Sequence, residues 1–201
     1  MKSVKSRKDK VVLDTSLFVN PEVRGDFGGS PTEAIKEFLL LAEQIPLLQF
    51  YMPSSIFEEL MNFVDRRKVP GKLLAVLNQK SPGKHEMHVP AVLLYELIED
   101  IRDRINKGLR VAEKAVRSVG TVEERELIKG MRKSYREALR EGIIDSREDV
   151  DLILLAKELD ALLVTVDHGA IKWAEKLGIR WLVPDRFRDY LLSFLDEEKS
   201  R

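Results

Sequence analysis

Two kinds of hydrophobic pattern alternate along the chain. Four short runs are apolar almost throughout and rich in β-branched or aromatic residues: Val11–Asp14, Phe50–Pro53, Leu162–Asp167 and Arg180–Pro184. Such runs predict strands buried on both faces of a parallel sheet. Amphipathic stretches opened by capping signals lie between them. Ser30-Pro31-Thr32-Glu33 combines an N-cap serine, a first-turn proline and a capping-box glutamate, and predicts a helix to about Gln44. Ser55-x-x-Glu58 predicts a capping box opening a helix through Val64, and Ser146-x-x-Asp149 one opening a helix to about Leu159. A last helix follows Pro184-Asp185. The alternation predicts an α/β fold, a central parallel sheet with helices on both sides.

Residues 91–141 break this rhythm. Ile98, Ile101, Ile105, Leu109, Ala112 and Val116 step by three and four, as do Leu127, Met131, Tyr135 and Ala138. Two helices with one apolar stripe each, joined near Val119-Gly120-Thr121, predict an antiparallel helical hairpin inserted in the sheet domain. The stripes face each other or a neighbouring subunit. The expected organisation is a basic tail (1–10), a sheet domain (11–90 and 141–195), the hairpin (91–140) and a charged C-terminal tail (196–201).

Composition narrows the class. Of 201 residues, 44% are hydrophobic, enough for a packed core and too many for a disordered chain. The absence of cysteine excludes disulfides, thiolate metal sites and thiol nucleophiles, and fits a reducing compartment. No apolar run approaches the ~18 residues of a membrane span. The basic N-terminus lacks the apolar stretch of a secretion signal, so a cytoplasmic location is expected.

The 34 basic and 34 acidic residues cancel, which on its face argues against a general nucleic-acid binder. The cancellation hides segregation. Residues 1–10 carry net +4 and residues 102–140 net +6, leaving −10 for the rest. On the second hairpin helix Arg125, Lys129, Arg132, Arg136 and Arg140 form one stripe; on the first, Lys107, Arg110, Lys114 and Arg117 do the same. Such stripes are either solvated faces or contacts for a phosphate backbone.

Four aspartates carry the candidate chemistry. Asp14 and Asp167 each end a predicted strand, at the sheet edge where ligands of open α/β sheets bind. Asp145 and Asp149 are four apart across a helix start, hence on one face. Converging carboxylates repel unless divalent cations lie between them, and hard oxygen ligands favour Mg²⁺ or Mn²⁺ over zinc. Such a cluster suits metal-assisted phosphodiester hydrolysis. Taken singly, an Asp at a strand end is also a common turn residue, and Asp145 and Asp149 sit where capping residues sit.

Val12-Leu13-Asp14-Thr15-Ser16, Ser54-Ser55-Ile56-Phe57-Glu58-Glu59-Leu60, Asp149-x-Asp151-Leu152-Ile153-Leu154-Leu155-Ala156 and Leu163-Val164-Thr165-Val166-Asp167 together resemble the PIN-domain ribonucleases. The run Asp14–Glu22, the Asp145/Asp149/Asp167 set and the position of the hairpin are most similar to the prokaryotic protein-only ribonuclease P family (HARP). The resemblance covers residue 11 to about 195. It implies that Asp14, Asp149 and Asp167 are metal-binding acids, that Asp145 is an additional acid of this subgroup, and that Glu59 corresponds to the second acid of many PIN domains. Asp151 is the rival of Asp149, and spacing from Thr165-x-Asp167 favours Asp149. Ser16 and Asn20 orient substrate or a metal-bound water, or Ser16 only closes the strand-end turn.

The resemblance further implies cleavage of precursor tRNA at the 5′ leader with Mg²⁺, no RNA subunit, RNA contacts from the basic hairpin, and a large homo-oligomer. The rival readings are a PIN toxin cutting other RNA and a catalytically silent RNA-binding scaffold. The hairpin argues against the first and the retained acids against the second. His85-Glu86-Met87-His88 lacks zinc-protease spacing and reads as a surface loop, as does His168. Gly28-Gly29 reads as a turn, and Trp173 and Trp181 as core.

Overall fold

A computed structural model describes residues 8–121, 123–140 and 146–199. Their contacts form two compact units. One comprises the described residues within Met1–Met87 and Ser146–Arg201, the other those within His88–Asp145.

The first unit is built on a five-stranded, wholly parallel sheet in the order β3-β2-β1-β4-β5. The strands are β1 Asp9–Leu13, β2 Leu48–Met52, β3 Leu77–Gln79, β4 Leu162–Val164 and β5 Trp181–Leu182. Helices α1 Ser16–Val19, α2 Pro31–Ala42, α3 Ser54–Met61 and α4 Gly71–Leu74 accompany the first three strands. Helices α7 Arg147–Leu159, α8 His168–Lys176 and α9 Phe187–Lys199 accompany the last two. Residues on both faces of the central strands are buried, which explains the continuous apolar runs. Val11, Leu13, Phe50 and Val164 join a cluster with Phe18, Phe38 and Phe187. Phe38 lies at its centre, with ring centroids of Phe18 and Phe50 at 5.4 and 5.1 Å. Each such fully buried side chain stabilises by roughly 1.5–3 kcal/mol. Val12 and Leu163, of opposite parity, are also buried and belong to the strands that α7 packs against.

Several local expectations shift. β1 starts at Asp9, whose N–H donates to Leu47 O, so Asp9 and Lys10 are sheet and not tail. The run at 162–167 is strand only to Val164; Thr165 to Asp167 turn out of the sheet. β3 was not expected: a three-residue edge strand with one buried side chain, Leu77, lacks an apolar run. Ser30 caps α2 as expected, accepting from Glu33 N–H at 3.3 Å, while Glu33 Oε2 reaches Gly29 N–H. A Cβ on Gly28 would sit 2.7 Å from Glu33 Cβ, so this turn needs glycine. The Ser55 capping box does not form: Pro53 takes the N-cap position, and the Ser55 hydroxyl donates to Asp151. α2 ends at Ala42 and α9 continues to Lys199, through much of the expected C-terminal tail. Trp173 is core, but Trp181 is 36% exposed because β5 is an edge strand.

The second unit is a helical hairpin, α5 Val92–Arg117 and α6 Glu124–Arg140. Gly120, at φ 85°, lies in the turn between them. Tyr135 of α6 lies against Gly108 of α5, where a Cβ would come within 2.6 Å of its ring. The apolar stripe of α5 does not meet α6. Ile98, Ile101, Ile105, Leu109 and Val116 are 47–70% exposed, while Gly108 and Asp100 are the buried residues of this helix.

Candidate active site

The strand order places β1 and β4 side by side, although the chain leaves β1 towards β2 and β4 towards β5. The loops after these two strands therefore diverge and open a crevice at the carboxyl edge, the position where open parallel sheets bind ligands. Asp14 and Thr165 are the first residues beyond the two strands.

Asp14 is 9% exposed, and its N–H still donates to Val164 O at 3.1 Å. Three hydroxyls orient its carboxylate. Ser16 Oγ and Thr165 Oγ1 each donate to Oδ2 at 2.6 Å. Thr15 Oγ1 lies 3.4 Å from Oδ1 and 3.3 Å from Glu59 Oε2. Its one proton serves one of the two at a time, so Thr15 links the acids of β1 and α3. Short bonds to an ionised acceptor are the strong ones. They hold a nearly buried carboxylate in one orientation, and Asp14 forms no ion pair among the described residues. Thr165, fully buried, also accepts from Asp167 N–H at 3.0 Å. Ser16 Oγ also lies 3.5 Å from Val166 N. Ser16 thus ties Asp14 to the neighbouring loop.

Asp167 is the N-cap of α8 through Oδ1, which accepts from Ala170 N–H at 2.7 Å. Oδ2 has no such bond among the described residues. Asp149, in the first turn of α7, exchanges bonds with Ser146: its N–H donates to Ser146 Oγ at 3.0 Å, and that hydroxyl lies 2.7 Å from Asp149 Oδ2. Asp145 lies outside the described residues. Asp151, 7% exposed, is bonded by Ser55 Oγ at 3.3 Å and Lys84 Nζ at 2.6 Å. Asn20 forms a local turn, its Oδ1 accepting from Glu22 N–H at 3.0 Å. The structure thus links Asp14, Ser16, Asp167 and Glu59 directly or through Thr15 and Thr165. Those two threonines were not singled out from the sequence, and their place beside the strand-end acids was the available signal. His168 opens α8 and is exposed, as are His85 and His88.

The donors are all oxygens, and the hydroxyl-held Asp14 and open Oδ2 of Asp167 suit a hard divalent cation chemically. Among the described residues, no three His, Cys, Asp or Glu side chains are gathered closely enough to enclose one.

In the hairpin, Arg110, Lys114 and Arg117 on α5 and Arg125, Lys129, Arg132 and Arg136 on α6 are exposed. None of these seven forms an ion pair among the described residues. Lys107 is partly buried, and Arg140 is the last residue of α6. An open groove along α6 is lined by Arg125, Ile128, Lys129, Arg132 and Arg136, with Glu123 and Glu124 at one end.

A sequence model described as PINc domain ribonuclease matches residues 10–196. A relative from Thermodesulfovibrio yellowstonii, named RNA-free ribonuclease P, is 57% identical over 187 residues, covering 93% of this chain and 95% of its own. Relatives of the same name from Thermococcus kodakarensis and Pyrococcus horikoshii are 51% and 49% identical, over 96% and 94% of this chain and 98% and 95% of theirs. With a parallel sheet that brings Asp14 and Asp167 to one edge, the chain belongs to the PINc-domain ribonucleases and, among them, to the RNA-free ribonuclease P family of endoribonucleases.

Proposed function

We propose that this protein removes the 5′ leader of precursor tRNA by metal-dependent hydrolysis, leaving a 5′-phosphate on the tRNA and needing no RNA subunit. The observation that carries the reading is the hydroxyl-held Asp14 beside Asp167, in a chain 57% identical to an RNA-free ribonuclease P. Asp14, Asp149 and Asp167, with Asp145, are the residues that would hold Mg²⁺, or Mn²⁺ in its place. A bound ion there would activate water and offset charge on the scissile phosphate. The chain's own contribution is orientation: Ser16 and Thr165 fix Asp14, and Thr15 keeps Glu59 in register with it. Asn20 remains a candidate for substrate contact through its amide.

The seven exposed cations of α5 and α6 that form no ion pair among the described residues support RNA binding by the hairpin, with the salt dependence of phosphate contacts. The exposed apolar stripe of α5 supports self-association into a homo-oligomer, which light scattering on the intact protein reads. Among the described residues no helix is long and apolar enough to cross a membrane, and we place the protein in the cytoplasm.

The test is incubation with precursor tRNA and Mg²⁺, followed by mapping of product ends. One cut at the mature 5′ end is expected, and Asp149→Asn should abolish it without changing the free energy of unfolding by more than about 1 kcal/mol. Cuts elsewhere in the tRNA would overturn the reading, and full activity of the variant would overturn the metal-site assignment.

A further inference from the structure

The end of α3 carries a feature that the acid site does not use. Phe63 lies four residues beyond Glu59, within ~14 Å of it along the chain. α3 ends at Met61, and two turn bonds carry the chain on, Asn62 N–H donating to Glu59 O and Phe63 N–H to Leu60 O. Ile56, Phe57, Leu60, Met61 and Val64 of this segment are buried in the core. Glu59 and Phe63 are exposed, Phe63 to 50% and with no ring–ring partner among the described residues.

Arg66, Arg67 and Lys68 follow in a single 3₁₀ turn. Lys68 pairs with Asp65 at 4.0 Å, whereas neither arginine forms an ion pair among the described residues. The turn is held in place, because Asp65 N–H donates to Thr32 Oγ1 at 2.9 Å. Thr32 is in the first turn of α2, the helix leading from the carboxyl edge of β1 back to the start of β2. Phe63 and the two arginines therefore follow directly on the helix whose Glu59 is contacted by Thr15 beside Asp14, within one compact unit.

An open aromatic face beside unpaired guanidinium groups, fixed next to a phosphodiester-cleaving site, is the combination that takes unpaired nucleotides: the ring stacks a base and the cations hold the flanking phosphates. Duplex RNA offers no free base face, so this surface is distinct in kind from the basic stripes of the hairpin. We infer that Phe63, Arg66 and Arg67 form a subsite for single-stranded RNA that receives the 5′ leader beside the scissile phosphate. The inference rests on the ribonuclease P reading for the identity of the strand, and on the surface itself for its chemistry.

Two measurements separate these. Precursor tRNAs with leaders of one and of eight nucleotides are cleaved by the wild type, Phe63→Ala, Phe63→Tyr and Arg66→Gln/Arg67→Gln. A fluorescein-labelled single-stranded RNA octamer is titrated against the same proteins by anisotropy. Phe63→Ala should lower the ratio of kcat/KM on the long leader to that on the short one about fivefold, and weaken octamer binding by a similar factor. Phe63→Tyr should restore both, and the double Gln variant should weaken octamer binding and flatten its salt dependence. A ratio and an octamer affinity both unchanged in Phe63→Ala would overturn the subsite. An equal loss on both leaders with unchanged octamer binding would also overturn it, by showing a structural role. A wild type that leaves precursor tRNA uncut would instead overturn the ribonuclease P reading, and the octamer titration would still decide the subsite.

Discussion

Thr165 has one hydroxyl and uses it twice, giving its proton to Asp14 Oδ2 and accepting from Asp167 N–H. Valine keeps the shape and removes both bonds, leaving buried polar groups unpaired at a cost of about 1–3 kcal/mol. Thr165→Val should therefore lower thermal stability by that amount and kcat by about tenfold or more, since a misaligned Asp14 weakens every step that depends on it. Thr165→Ser should retain most of both; a valine variant with wild-type kcat would show that the hydroxyl does not hold the acid. At this scale the positions of Asp14 and Asp167 were legible, because a strand-end Asp at a sheet's carboxyl edge has a physical meaning in sequence. Of the hydroxyls on Asp14, Ser16 was named, whereas Thr15 and Thr165 were not. Thr165 and Asp14 are 151 positions apart, and periodicity does not say which side chains meet across that distance. Asp151 makes a contact of the same distant kind, with Ser55 96 positions away, and pairs with Lys84.

Among the elements, those with a strong period or cap were legible and the weak ones were not. α2, α7 and both hairpin helices announce themselves through caps or long stripes. β3 is short and one-sided, and the Ser55 box gives way to a tertiary bond. The loop from β3 towards α5 is held to α7 by Glu158, which accepts from Lys80 and from Gly83 N–H. The Lys80 bond, followed by the Gly83 N–H bond, lowers the pKa of Glu158 below its ordinary value. A lowered folded pKa contributes stability that is present above the unfolded value, about 4.3, and is lost as pH falls through the folded one. Glu158→Gln should thus melt earlier than the wild type at neutral pH, with the gap closing below about pH 4. A gap that is constant across the acid range would assign the effect to packing and not to charge.

For the molecule as a whole, zero net charge is the sum of separated signs: +6 over residues 102–140 and +4 over residues 1–10 against −10 elsewhere. That segregation was fully legible in sequence. Whether the cations were free was not, because ion pairing depends on rotamers and neighbours. In the structure Lys133 pairs with Glu137 at 3.9 Å, while Arg132 and Arg136 point into the groove along α6. Arg132→Glu/Arg136→Glu should raise the tRNA dissociation constant and reduce the log–log salt slope by about two, near one unit for each lost phosphate contact. A weaker complex with an unchanged slope would place the phosphate contacts elsewhere.

The notch at Gly108 has a consequence for this charge pattern. With Tyr135 seated where a Cβ would clash at 2.6 Å, α6 cannot slide along α5 or roll about it without driving its ring into a bulkier neighbour. One missing methyl group thereby acts as an index pin. It sets the bearing of the cationic side of α6 relative to the greasy side of α5. If copies of the chain associate through α5, as proposed, that fixed bearing would turn the cationic side the same way in every subunit, the work of a single small residue.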